Sequence, residues 1–155
     1  MEKQQKIALA GATGYLGQYI AKELIQSGMN PKLLARNPGK LKLKEEYTVA
    51  KVEVTKPGTL RGVFAGVDVV ISTVGITRQK DGLTYMDVDY QANLNLLHEA
   101  VGAGVQKFIY VSAINGDKFR HLKIFEAKEK FVDALKVSGL DYTIMRPNGF
   151  FSDMN

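Results

Sequence analysis

Apolar residues in this chain come in short bursts, separated by longer stretches with a helical period. The first burst, KIALA at residues 6–10, ends at a glycine, as buried parallel strands do. Beyond it, Leu16, Ile20 and Leu24 recur every four residues with Ile25 beside them, which predicts one face of a helix. Ser27-Gly28 stops that helix, glycine being free to take the left-handed conformation. Residues 32–35 read as a second strand and 48–54, by alternation, as a third. Residues 57–64 read as a helix with proline in its first turn. A β-branched run at 67–74, bounded by glycines, is a fourth strand. Residues 88–103 form a long helix with Leu94, Leu97 and Val101 on one side. KFIYVS at 107–112 is a fifth strand, 124–137 an amphipathic helix ended by Ser138-Gly139, and 142–145 a sixth strand closed by Arg146-Pro147.

Strands alternating with helices predict an α/β fold with a doubly wound parallel sheet, the Rossmann fold. Right-handed crossovers put the first strand in the middle, in the order 3-2-1-4-5-6. Three longer connections, at residues 37–44, 76–84 and 115–121, each follow the C-terminal end of a strand, where open sheets bind ligands.

Composition narrows the partners. The 155 residues contain no cysteine and only two histidines, His98 and His121, so neither a disulfide framework nor a metal centre is expected. No apolar run approaches the roughly 18 residues of a membrane span, and no apolar leader follows the N-terminal MEKQQK. The expected location is the cytoplasm. Residues 32–61 hold eight Lys or Arg against three Glu, which accounts for the whole net charge of +5. Only Tyr47 interrupts that basic run, so it lacks the stacking aromatics of a nucleic-acid surface. Phosphate loops of the GxxxxGK type, GxSxG elbows and HExxH motifs are missing.

The candidate chemistry lies in the turn Gly11-Ala12-Thr13-Gly14-Tyr15-Leu16-Gly17, between the first strand and the first helix. Gly11 permits the reversal, Gly14 clears space for a diphosphate, and Gly17 allows close helix–sheet packing. Free amides and the positive end of the helix dipole would then face the phosphates, with the Thr13 hydroxyl as a further donor. At the end of the second strand, 19 residues after Gly17, stands Arg36. A dinucleotide site that accepts a 2′-hydroxyl carries an acidic residue there, whereas a guanidinium fork suits a 2′-phosphate. Lys40 adds a second charge. NADP is therefore expected over NAD.

The motif GATGYLG resembles that of the extended and atypical short-chain dehydrogenase/reductases. Four further blocks extend the resemblance over essentially the whole chain: LARNPGKL, GVDVVISTVG, KFIYVSAI and DYTIMRPNGFF. Together they look most like the NAD(P)H-binding atypical group, which includes NmrA-like regulators and isoflavone-reductase-like enzymes. The resemblance implies a cofactor running from Glu53, in place of the family's Gly-Asp pair near the adenine, past Thr73, Val74 and Gly75. It implies Ser112, Lys128, Pro147 and Asn148 at the nicotinamide end.

The usual Tyr-x-x-x-Lys pair is absent where the family places it, because Ile124 precedes Lys128 by four residues. The spacing does occur at Tyr47 and Lys51, but before the third strand and so on the wrong element. Phe125 and Lys128 instead match the Phe-x-x-Lys of isoflavone-reductase-like enzymes, in which the lysine is the acid/base. Two roles follow for Lys128, proton handling or cofactor binding alone. Two functions follow for the chain: an NADPH-dependent oxidoreductase acting on a small molecule, or a nicotinamide-dinucleotide sensor that signals to a regulatory protein partner. Members of the group usually continue into a substrate-binding region. Residues 1–155 are thus expected to form a single cofactor domain with that region absent or truncated.

Overall fold

In the computed structural model, which describes residues 4–41, 43, 47–75, 82–112, 118 and 120–147, the apolar bursts form one parallel sheet. Its strands are β1 (Ile7–Ala10), β2 (Lys32–Ala35), β3 (Thr48–Lys51), β4 (Val69–Ser72), β5 (Lys107–Val111) and β6 (Asp141–Met145). The order is β3-β2-β1-β4-β5-β6, as expected. Ala10 pairs with Leu34 on one side and Ser72 on the other, so the chain leaves β1 between two strands whose connections run opposite ways. That divergence opens a crevice at the carboxyl end of β1.

Alternate residues of each strand feed two cores. Leu9, Leu33 and Ala35 pack with Ala21 and Leu41 on the face covered by α1 (Tyr15–Gln26). Ala8, Ala10, Leu34, Val70, Phe108 and Tyr110 pack on the opposite face against α2 (Asn93–Gly102) and α3 (Lys123–Lys136). Burying a Leu or Phe side chain contributes roughly 1.5–3 kcal/mol, so these two layers carry the fold. Phe131 joins Phe108 and Tyr110, with ring centroids 5.7 and 4.7 Å away.

Several expectations are corrected in detail. The fully buried row of α1 is Gly17, Ala21 and Ile25, while Leu16, Ile20 and Leu24 flank it half-buried. Small residues face the sheet directly because the helix sits too close for leucine. On α2, Leu96, Leu97 and Ala100 face inward and Val101 is 45% exposed. The inward row runs through Asn93, Leu96, Leu97 and Ala100 and only overlaps the expected one; the helix is entered through a widened π turn, Met86–Ala92. Asn93 supports that turn: its Nδ2 donates to the carbonyls of Asp89 and Val74 at 2.9 and 3.0 Å, and its Oδ1 accepts from the Ser72 hydroxyl. The expected helix at residues 57–64 is only a 3-10 turn, Pro57–Leu60, followed by further turns through a left-handed Gly62. The third strand stops at Lys51 and not at residue 54, because Val52 leaves the ladder after donating to Ala35 O. Gly28, with φ +81°, closes α1 as expected.

Candidate functional site

Backbone geometry dictates glycine at two points of the turn after β1. Gly11 adopts φ +90°, and a Cβ there would run into Thr73 Oγ1 and lie 3.2 Å from the Thr73 carbonyl carbon. A Cβ on Gly17 would run into Gly11 O and lie 2.7 Å from Gly11 C and 3.1 Å from Ala12 Cα, all backbone atoms. These two residues let β1, β4 and α1 meet at one place. Gly14 differs: it is exposed, has ordinary extended geometry (φ −73°, ψ 168°), and its missing Cβ would find only Gly11 O at 3.3 Å.

Gly14 caps α1 with no side-chain hydrogen bond, and no acidic residue stands in the first turn. The leading amides of α1 are therefore left to an external acceptor. Thr13 is half-buried, and its carbonyl accepts from Gln18 Nε2 at 2.9 Å. Leu16 is half-buried. Tyr15 lies outward, edge to face with Tyr19 at 5.2 Å. A hydrogen bond with Tyr19 raises the Tyr15 phenol above its ordinary value.

Arg36 follows directly on β2 with an exposed side chain, and Nη1 lies 3.8 Å from Glu53 Oε1. Two residues read from different arguments are thus neighbours. The parallel register explains it, since Lys51 pairs with Ala35 and the next residues diverge together. An exposed pair at that distance is weak. Lys40 ends the 3-10 turn Pro38–Lys40 and is exposed.

At the far end of the crevice, Thr73 and Gly75 line the exit from β4, with Val74 buried between them. The Thr73 hydroxyl lies 3.4 Å from the carbonyls of both Ala10 and Gly11, tying that exit to the glycine turn. Gly75 is exposed, and a Cβ there would stand 2.7 Å from Asp89 Oδ1 and 2.9 Å from Lys128 Nζ. Lys128 is not a surface lysine. Its side chain is 9% exposed and makes a 2.7 Å ion pair with Asp89, which is fully buried on the π turn. Breaking such a pair from one side costs about 3–5 kcal/mol, because a buried charge is left uncompensated.

The next residue, Glu129, is also fully buried. Arg146 grips it through Nη1 and Nη2 at 2.6 and 2.8 Å, and the Ser112 hydroxyl donates to it at 2.9 Å. Ser112 N also donates to Met145 O at 2.7 Å, so β5, β6 and α3 are clasped together here. Pro147 follows, half-buried; Asn148 lies outside the described residues. The Tyr110 hydroxyl is buried with no hydrogen-bond partner among the described residues. Burial lifts its phenol well above the ordinary value, and the negative charges of Asp89 and Glu129 push the same way.

Of the residues read from sequence, the structure gathers residues 11–17, Thr73 and Gly75 around one crevice, with Lys128 beneath Gly75. It sets Arg36 beside Glu53, and Ser112 near Pro147. Tyr47 and Lys51 sit at β3, the sheet edge farthest from α3 in strand order, and form no site with Lys128. His98 and His121 are exposed. Asp89, Glu129, Asn93 and Arg146 were not singled out. An acid and two asparagines inside the apolar stretch VDYQANLNLL were the available signal. Among the described residues no group of three or more His, Asp or Glu is arranged for a metal, and no helix is long and apolar enough to cross a membrane.

Comparison with known proteins bears on the family and the fold. A protein family described as NAD(P)H-binding matches residues 11–154. The photosystem II assembly factor Ycf39 of Synechocystis is 28% identical over 151 residues, covering 96% of this chain and 46% of that protein. The chloroplastic divinyl chlorophyllide a 8-vinyl-reductase of Arabidopsis thaliana is 29% identical over 171 residues, covering 98% and 41%. Among solved structures, the NADPH-dependent quinone oxidoreductase QOR2 of Escherichia coli, complexed with NADPH, superposes with a TM-score of 0.76 at 26% identity. That match covers 95% of this chain and 50% of QOR2. The chain spans about half the length, or less, of the relatives named.

Proposed function

Because the chain belongs to this NAD(P)H-binding family, with its Rossmann-type, oxidoreductase-like fold, we propose that it works as an NADPH-dependent oxidoreductase on a small-molecule acceptor. One observation carries the reading: Gly14 leaves the start of α1 without a side-chain cap, in a turn whose Gly11 and Gly17 are dictated by close contact, and a guanidinium stands at the end of the adjacent strand. The fit to a dinucleotide rests on Gly14, where a side chain would fill the approach to the amides and where none is present. Gly11, Thr13, Gly14, Tyr15, Leu16 and Gly17 would hold the diphosphate. Arg36 and Lys40 would neutralise the 2′-phosphate, with Glu53 at the adenosine end. Thr73, Val74 and Gly75 would lie alongside the cofactor, and Ser112, Lys128, Pro147 and Asn148 at its reactive end. The nicotinamide, when bound, supplies the hydride. The protein's part is to orient the reactants, exclude water and hold a proton, and Lys128 Nζ lies 2.9 Å from where a Gly75 Cβ would stand.

A second reading, a dinucleotide sensor that signals to a protein partner, is favoured by a specific observation. The two polar groups expected at the reactive end are both engaged by carboxylates, Ser112 by Glu129 and Lys128 by Asp89. Relatives named as assembly factors fit that reading. NADPH oxidation measured against quinones, flavins, enones and aldehydes separates the two. Turnover supports the enzyme; tight binding with no turnover above background supports the sensor. The proposal also keeps the protein in the cytoplasm, which cell fractionation tests; the vinyl-reductase relative, by contrast, is named chloroplastic.

A further inference from the structure

We propose that Asp89 is a positioning residue: carried by the π turn, it holds the Lys128 ammonium under Gly75, and Gly75 is the opening through which that ammonium meets a bound ligand. The inference rests on the nicotinamide-site reading above and assigns it a part that no sequence motif supplied.

Three independent features converge on one spot. Asp89 is fully buried, yet its carboxylate ends 2.7 Å from Lys128 Nζ. Such a pair is weak evidence of a purely structural role, since an apolar pair of equal volume is often as stable or more so. Next, the helix carrying Asp89 departs from regular α geometry over Met86–Ala92, and widened turns of this kind are concentrated at functional sites. Asn93 stabilises the departure by donating to Asp89 O and to Val74 O, so the turn is fixed to the exit of β4. Finally, Gly75 is exposed, and the Cβ it lacks would crowd both heads of the pair, at 2.7 and 2.9 Å. The pair thus fills the place of a Gly75 side chain, directly under exposed backbone at the strand end. An ammonium held there is offered to a ligand oxygen from below the strand end.

The groups facing the pair fit the role. Glu129 points its charge into Arg146 and Ser112 and so does not compete for Lys128. Tyr110 brings a neutral hydroxyl. Asp89 thus sets the position of the lysine head without touching a ligand itself.

Two variants test this. Asp89→Asn keeps the shape and removes the charge; Gly75→Ala keeps both charges and adds the crowding methyl, and remains informative if the first variant fails to fold. Three readouts are taken on folded protein: NADPH affinity by fluorescence, kcat with a quinone acceptor, and the rate of Lys128 acetylation by acetic anhydride, followed by mass spectrometry with and without NADPH. For Asp89→Asn the expected result is NADPH affinity within about threefold of the unaltered chain and kcat reduced about tenfold to a hundredfold, as a misplacement near 1 Å produces; Gly75→Ala, whose methyl stands in the cofactor site itself, is read by Lys128 acetylation alone. Lys128 should be slow to acetylate and slower still with NADPH in the unaltered chain. It should react faster, and lose the NADPH protection, in both variants. A folded Asp89→Asn variant with unchanged kcat and unchanged NADPH protection of Lys128, or a folded Gly75→Ala variant with unchanged protection, would overturn the proposal and make the pair structural. If the unaltered chain binds NADPH but turns over no acceptor, the oxidoreductase reading fails, and the protection pattern still decides the role of Asp89. Lack of protection in the unaltered chain refutes it.

Discussion

Gly14 and Gly17 stand three residues apart in one turn, yet alanine at each should fail in a different way. At Gly17 the new Cβ meets only backbone: Gly11 O, Gly11 C at 2.7 Å and Ala12 Cα at 3.1 Å. No rotamer can relieve that, so α1 must lift from β1 by about 1.5 Å to restore ordinary contact. Overpacking of this kind costs about 1–3 kcal/mol, and the upper end applies because nothing soft is in the way. For a chain of this size that lowers the melting temperature by roughly 5–10 °C. At Gly14 the nearest atom is Gly11 O at 3.3 Å, and φ −73°, ψ 168° suits alanine, so melting should stay within about 2 °C. The new methyl instead covers the approach to the α1 amides. Losing one or two charge-assisted hydrogen bonds, about 1.5–3 kcal/mol, weakens NADPH by about tenfold to a hundredfold. Thermal melts of the ligand-free variants and fluorescence titration with NADPH measure both numbers. If Gly14→Ala bound NADPH as tightly as the unaltered chain, the diphosphate could not be docking on these amides, and the assignment of residues 11–17 would fall.

Arg36→Asp should weaken NADPH about a hundredfold more than NADH, since it removes the fork and sets two carboxylates side by side at Glu53; equal losses in titrations with the two cofactors would refute the assignment. Tyr110→Phe bears on alkaline stability. Burial keeps the folded phenol neutral well above its ordinary value of 10.0, so the unfolded chain gives up that proton first; stability is full below the ordinary value and is lost as pH rises through the folded one. The phenylalanine variant should lose less in urea melts under alkaline conditions, and at neutral pH should match the unaltered chain or gain up to about 1 kcal/mol. Asp133 is paired at the surface with Arg120, at 2.8 and 2.9 Å, whose hydrogen bonds hold the carboxyl below its ordinary value of 3.8. Its contribution is therefore present above that value and lost as pH falls through the lower, folded one. Asp133→Asn should cost under about 1 kcal/mol near neutral pH, and the gap should close in strong acid; a gap that persists there would count against the pair.

The sheet was legible because each strand is an apolar burst with punctuation at both ends. The 3-2-1-4-5-6 order then followed from crossover handedness rather than from any single residue. The glycine turn was legible because its constraints are local. Helix faces were harder. Leu16, Ile20 and Leu24 look like a core stripe, but the helix approaches so closely that Gly17 and Ala21 take the inner row. Val101 falls outside the buried face because the inward row of α2 runs through Asn93, Leu96, Leu97 and Ala100, and the pattern of Leu94, Leu97 and Val101 overlaps it only at Leu97. Proline at 57 signalled a helical start that lasted a single 3-10 turn before Gly62 reversed the chain. The buried polar pairs were out of reach of pattern: Asp89 meets Lys128, and Glu129 meets Arg146, across long stretches of chain, and only the fold makes them neighbours.

The π turn also bears on how this chain tolerates changes in length. A turn of that kind stores about one residue more than a regular one. Losing a single residue between positions 86 and 92 would let the helix close into ordinary α geometry, with Leu96, Leu97 and Ala100 still seated on the sheet. Both flanks of the helix would then keep their register, while the widened turn that carries Asp89 to Gly75 would be lost. Such a deletion would spare the scaffold and erase the buried charge pair, so in this stretch residue count governs chemistry more than residue identity does.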